Sequence, residues 1–271
     1  MTSTDSAPGI ERIVGAFGAH AKRAALMPYL MAGHPDHETS AAALAAAADA
    51  GADLLELGVP FSDPLADGPV IHAAGTQALA AGATVHSALA LCREAAGRLP
   101  VMLMVYANVV MRSGPAGFAL RAAAAGAAGL IVPDLPYDEA GEVRAACDAE
   151  GLALVPLVAP TTTAERAAAI GRTARGFVYA VSLTGTTGER GELAPGVTET
   201  VARVRAATEL PVAVGFGVST PAQAARVGEL ADGVIVGSRV VRAAGEGGAD
   251  GVRRTVAELA SALSLPGADG C

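Results

Sequence analysis

Short apolar runs, most of them unbroken rather than alternating, recur eight times along the chain. Alanine-rich stretches of helical composition separate them, and a Gly or Pro stands at most of the transitions. Together these features predict an α/β fold, a single-domain (β/α)8 TIM barrel with an extra helix at its N-terminus. Unbroken apolar strands are buried on both faces and pair in parallel. Eight strand–helix units in roughly 250 residues match the size of a closed barrel. A doubly wound open sheet shares the alternation. The count of eight, and the lack of a Gly-x-Gly-x-x-Gly after the first strand, favour closure.

In chain order, residues 1–7 are polar and expected to be disordered, and 10–23 read as the extra helix with Ile13, Val14 and Phe17 on one face. Strands are expected at 25–31, 53–59, 101–106, 129–133, 152–158, 176–181, 212–215 and 233–236. Helices are expected at 38–50, 75–98, 114–125, 138–150, 163–172, 198–209, 220–230 and 251–263. Gly and Pro at the joints stop one element and release the next. A short helix opens at Gly237-Ser238 and runs through Val241, and 245–251 reads as a flexible loop before the last helix. No linker, composition shift or low-complexity tail divides residues 1–271.

Composition narrows the function. A net charge of −8 argues against a nucleic-acid or acidic-membrane partner. The three cysteines, Cys92, Cys147 and Cys271, are scattered and carry neither metal spacing nor a disulfide framework, which suggests a reducing compartment. The first residues lack a basic and an apolar leader segment. Apolar runs such as 101–107 fall short of the ~20 residues that cross a bilayer. These readings predict a cytoplasmic protein. The histidines (His20, His34, His37, His72 and His86) show no ligand spacing, so no metal is expected. No Gly-x-Ser-x-Gly, P-loop or dinucleotide fingerprint calls for another chemistry.

The barrel predicts where chemistry lies, because its active sites sit on the loops that follow the strands. The segment ELGVPFSDPLADGP at 56–69 ends the second strand and continues as a loop stiffened by prolines. Glu56 lies inside an apolar strand, where a carboxyl is costly unless neutral, paired or at work. Asp67 stands at the far end of the loop. Two carboxyls in different environments suit a site that needs one proton carrier and one fixed anion. A buried, satisfied Glu56 and a turn-forming Asp67 are the alternatives for each residue alone. Tyr106 and Asn108 follow the third strand, Asp134 the fourth and Tyr179 the sixth. Gly215-Phe216-Gly217 and Gly237-Ser238 end the seventh and eighth strands, where this fold often holds a phosphate. The loop at 182–197 is long enough to act as a lid. Residue types and spacing thus reach a barrel enzyme with two carboxyls, a small phosphorylated substrate and no evident cofactor.

ELGVPFSDPLADGP resembles the signature of the tryptophan synthase α-subunit family. The resemblance extends along nearly the whole chain through MVYANVV at 104–110, VPDLP at 132–136, TGTTG in the 182–197 loop, GFGVS at 215–219 and GSRVV at 237–241. It implies a carbon–carbon lyase of tryptophan biosynthesis. That lyase would split indole-3-glycerol phosphate into indole and glyceraldehyde 3-phosphate by retro-aldol cleavage, with no cofactor. It implies Glu56 as acid–base and Asp67 as acceptor of the indole N–H. Tyr179 would position the glutamate, and Tyr29 and Phe216 would line the indole pocket, with Tyr106 also at the substrate. Gly188, Gly217, Gly237 and Ser238 would hold the phosphate, and Thr187 would reach Asp67 on closure. The implied partner is a β subunit in an α2β2 heterotetramer. Leu183 and His34 depart from residues found in some relatives, at the lid and near the partner. A free-standing lyase that releases indole, and a non-catalytic phosphate-binding barrel that only activates a partner, are the competing readings.

Overall fold

The computed structural model describes residues 8–19, 21–181, 196–215 and 217–265. The expectations for 1–7, for nearly all of the 182–197 loop and for Phe216 lie outside the described residues. Nine parallel strands form a single sheet: β1 (Ala25–Met31), β2 (Leu55–Gly58), β3 (Val101–Met104), β4 (Gly129–Ile131), β5 (Ala153–Val155), β6 (Leu157–Val158), β7 (Val178–Val181), β8 (Val212–Gly215) and β9 (Gly233–Val236). Their order is β5-β4-β3-β2-β1-β9-β8-β7-β6. The two ends of that order, β5 and β6, are the single strand expected at 152–158, divided by Pro156. Proline has no N–H for the ladder. The Pro156 carbonyl still accepts the Tyr179 N–H at 3.0 Å. One stave therefore changes partners mid-way, from β4 to β7, and the barrel closes through the chain itself.

Strand residues sort by parity, because side chains alternate across a sheet. Met27, Tyr29, Leu54, Met102, Ile131, Phe177, Tyr179, Ala213 and Ile235 pack inside the barrel. Leu26, Leu30, Leu55, Leu57, Leu103, Leu130, Val178, Val212 and Val234 pack outward against the helices. Both faces are buried, as the unbroken apolar runs predict. Glu56 has the parity of Leu54, so the strand aims a carboxyl into the interior.

The helices are α1 (Gly9–Ala19), α2 (His37–Asp49), α3 (Pro69–Ala80), α4 (Val85–Ala96), α5 (Ala107–Arg112), α6 (Pro115–Ala124), α7 (Gly141–Ala149), α8 (Ala164–Thr173), α9 (Val197–Arg205), α10 (Pro221–Gly228) and α11 (Ser238–Leu263), with a 3-10 turn at Tyr137–Glu139. Helix α1 plugs the end of the barrel where the strands begin. Ile13 is fully buried among the interior residues and Phe17 meets the Phe177 ring at 5.5 Å. Val14, expected on the same face, is 50% exposed. One residue past Ile13 it has turned about 100° away, whereas Phe17 at i+4 returns to the core.

Three further expectations are corrected. The helix expected at 75–98 is two. Chain direction changes between α3 and α4 at Gly82, whose φ of 89° suits glycine, and Thr84 caps α4 with Ser87 in a reciprocal box. Helix α3 also begins earlier, at Pro69, a residue pre-set for a first turn. Helix α5 went unread within 107–112; the Asp134 carboxylate anchors its start by accepting the Ala107 N–H at 2.8 Å. The loop expected at 245–251 is helical except at Gly248 (φ 54°, ψ −143°), where α11 folds back on itself. Gly251 makes the fold possible, since a Cβ there would strike the Ala243 carbonyl.

Candidate active site

The interior layer that holds Glu56 is set by strand register. Tyr29 of β1 lies beside Glu56 of β2, which lies beside Met102 of β3. Glu56 is fully buried, and neither carboxyl oxygen has a hydrogen-bond partner among the described residues. Burial, reinforced by the negative charge of Asp67, pushes its pKa from the usual 4.5 to about 8. At neutral pH the group holds a proton that it can surrender. The hydroxyls of Tyr29 and Tyr179 share its surroundings. Their own pKa values are raised by burial first; nearby Glu56 adds to both, and for Tyr29 Asp67 adds more. Both tyrosines stay neutral.

Each of these rings needs a glycine on the adjoining strand. A Cβ at Gly58 would overlap the Tyr29 hydroxyl, and one at Gly215 would overlap that of Tyr179. Gly58→Ala is therefore expected to destabilise the fold by about 1–3 kcal/mol, the cost of overpacking a filled core. Chemical denaturation measures it, and an unchanged midpoint would mean that Tyr29 has another place to rest.

Asp67 arrives over the pocket from the β2–α3 loop, and Tyr106 holds that loop at both ends. Its ring stacks on Phe61 at 5.1 Å, its hydroxyl accepts the Ala66 N–H at 3.1 Å, and it hydrogen-bonds the Asp67 carboxylate. Burial raises the Asp67 pKa from 3.8 to about 6, against the opposing pull of Tyr106 and of His72. The two acids thus differ: Glu56 is protonated at pH 7 while Asp67 is largely ionised.

Between them and the C-terminal ends of β8 and β9 lies a pocket that opens to solvent. Val70, Ile71, Met104 and Ile235 form its apolar wall. At the opposite end stand Gly217, Ser219, Gly237, Ser238, Arg239 and Arg242. Gly217 takes φ 85°, and the Gly237 carbonyl accepts the Val240 and Val241 N–H groups at 2.9 and 3.0 Å to start α11. The first N–H groups of a helix have no partner within it, and the dipole there favours an anion.

Of the residues singled out from sequence, Tyr29, Glu56, Asp67, Tyr179, Gly217, Gly237 and Ser238 come together in this pocket. Tyr106 stands behind Asp67 rather than in the lining, and Thr187, Gly188 and Phe216 lie outside the described residues. Sequence reading missed Val70, Ile71, Met104, Arg239 and Arg242. The two arginines carried a signal, because they follow Ser238 at i+1 and i+4 on a helix whose start was expected. Among the described residues no group of three or more His, Cys, Asp or Glu could hold a metal, and no helix is long and apolar enough to cross a membrane.

Fold and site together define a (β/α)8-barrel protein whose pocket joins a pair of carboxyls, an apolar wall and the start of a helix. The family model described as "Tryptophan synthase alpha chain" matches residues 17–265. The chain belongs to the tryptophan synthase alpha chain family, a family of lyases. It is 46% identical to the tryptophan synthase alpha chain of Synechococcus elongatus over 244 residues, covering 89% of this chain and 92% of that one. With the Geobacter sulfurreducens alpha chain it shares 44% over 258 residues, or 94% and 98% of the two chains. Among solved structures, Mycobacterium tuberculosis tryptophan synthase superposes with a TM-score of 0.88 at 42% identity, covering 96% of this chain and all of that one. A chain of the tryptophan synthase α2β2 complex from Pyrococcus furiosus gives 0.83 at 38% identity, covering 89% and 100%.

Proposed function

We propose that the chain cleaves indole-3-glycerol phosphate to indole and glyceraldehyde 3-phosphate in tryptophan biosynthesis, as an aldehyde-lyase. The observation that carries this reading is the buried, protonated Glu56 beside an ionised Asp67 in a pocket that also holds an apolar wall and the first residues of α11. In this reading indole occupies the slot beside that wall and phosphate the cradle at the start of α11. Glu56 delivers its proton to the ring carbon that bears the glycerol chain, leaving a ring able to accept electrons. Asp67 accepts the indole N–H and offsets the positive charge that develops there. Glu56, now a carboxylate, takes the proton of the side-chain hydroxyl beside the breaking bond. The carbon–carbon bond breaks, its electrons return to the ring as indole, and the hydroxyl carbon leaves as the aldehyde. Protons balance without a cofactor.

Tyr29 and Phe216 line the indole slot in this reading, and Tyr179 steadies Glu56. Gly217, Gly237 and Ser238 bind the phosphate in this reading, and the family resemblance assigns Gly188 to the phosphate and Thr187 to Asp67. The α2β2 assembly of the Pyrococcus furiosus relative supports a β subunit as partner, to which the indole would pass. One barrel domain working in the cytoplasm accords with the free, buried Cys92 and Cys147. Incubating the purified chain with indole-3-glycerol phosphate and following indole, with and without a β subunit, tests the proposal. Absence of indole in both conditions would sink it, and full activity alone would favour a free-standing lyase.

The two pKa values set a pH profile. Activity needs Asp67 ionised and Glu56 protonated, so kcat/KM should rise through about 6 and fall through about 8. These limbs belong to the pair rather than to either acid alone. A profile flat from pH 5 to 9 would remove the pair from the chemistry.

A further inference from the structure

Behind the anion end of the pocket, side chains from two helices converge on one residue, Ser219. Gln223, in the first turn of α10, is 2% exposed. Its Oε1 accepts the Ser219 N–H at 2.8 Å, the Ser219 hydroxyl at 3.1 Å and the Thr220 N–H at 3.1 Å. From the other side Arg239, in the first turn of α11, donates through Nη1 to the Ser219 carbonyl at 3.0 Å. Its Nη2 pairs with Glu258, which lies beyond the Gly248 fold on the returning limb of the same helix.

Capping of α10 explains only part of this. In the reciprocal box, Thr220 accepts the Gln223 N–H at 3.2 Å and the Gln223 side chain accepts the Thr220 N–H. The two bonds to Ser219 add nothing to the cap; they fasten the loop after β8. Likewise the fork of Arg239 spans two groups at once, which a point charge does not do. Gly217, Val218 and Ser219, from the loop after β8, and Gly237 and Ser238, from the start of α11, all line the same pocket. A cradle built from backbone donors is strong only while they converge on one point.

We infer that Gln223 and Arg239 are positioning residues that set the spacing of the anion cradle, one holding the amide side of Ser219 and the other its carbonyl side. Gln223 acts through Ser219 and needs no contact with substrate. Arg239 does its work by geometry rather than by charge alone. The inference rests on the phosphorylated substrate proposed above.

Gln223→Met keeps the length of the side chain and removes the acceptor, and Arg239→Lys keeps the charge and removes the fork. The readouts are kcat and KM for indole-3-glycerol phosphate, and the separate affinities of the full chain for inorganic phosphate and for indole. Gln223→Met should raise KM and weaken phosphate binding by the same factor, about tenfold, with kcat within about twofold and indole affinity unchanged. Arg239→Lys should move KM and phosphate affinity in the same direction by a smaller factor. Unaltered phosphate affinity in Gln223→Met, or a parallel loss of indole affinity, overturns the role of Gln223. Wild-type phosphate affinity in Arg239→Lys overturns that of Arg239. If Gln223→Met does not fold, the Arg239 substitution, at a partly exposed side chain, tests the bracket on its own. A wild-type chain that binds phosphate but releases no indole would sink the proposed reaction and leave the positioning comparison intact.

Discussion

Glu56→Gln is expected to lower kcat by about a thousandfold or more, at the upper end of the range for a lost general acid–base, because in the proposed reaction one carboxyl performs both proton transfers. The fold should survive. With its pKa near 8, Glu56 is a neutral acid at pH 7, and an uncharged amide of the same shape takes its place without leaving a buried charge. The substitution should even raise stability in alkaline solution. Between the unfolded value near 4.5 and the folded value near 8, the native state retains a proton that the unfolded chain releases. Native stability must therefore fall as pH rises through that window. Removing the carboxyl removes the dependence, so thermal melting of the variant should exceed that of the wild type at pH 9 and approach it at pH 5. A variant with near-normal turnover would overturn the acid–base assignment; one that melts below wild type at every pH would show that Glu56 has a structural partner.

Asp67→Asn should cost about a hundred- to a thousandfold in kcat, the range for a lost electrostatic stabiliser. The amide oxygen can still accept an N–H but carries no charge to offset the developing cation. A second consequence follows from the coupling of the two acids. The Asp67 charge helps hold Glu56 protonated, so its removal should shift the alkaline limb of the pH profile below 8 and abolish the acid limb near 6. Kinetics from pH 5 to 9 on both proteins would show it. Unchanged turnover, or an alkaline limb that stays in place, would separate Asp67 from the chemistry.

Much of the fold was legible because its signals are local. Apolar strands, glycine at helix ends and alanine-rich helices report on their own neighbourhoods, and eight of them in a row leave few arrangements. What was misread depended on longer range. A division of the strand at Pro156 is invisible until the partners of β5 and β6 are known. The hairpin in α11 looks like loop sequence until Gly251 is seen against Ala243. Helix α5 starts where it does because Asp134, 27 residues away, accepts its first N–H.

The site divides along the same line. The residue types at 56 and 67, and glycines at the ends of two strands, were enough to expect these groups around one pocket, because strand-end loops of a barrel must share one face. Residue order alone determined which groups were available. Only the tertiary structure decided their states. Burial beside another carboxyl raises the Glu56 pKa to about 8, whereas Asp67, half-buried against Tyr106, is raised only to about 6. Val70, Ile71 and the arginines of α11 came to the pocket by the same route. Protonation depends on the dielectric and charge around a group, and these are properties of packed neighbours that no local pattern encodes.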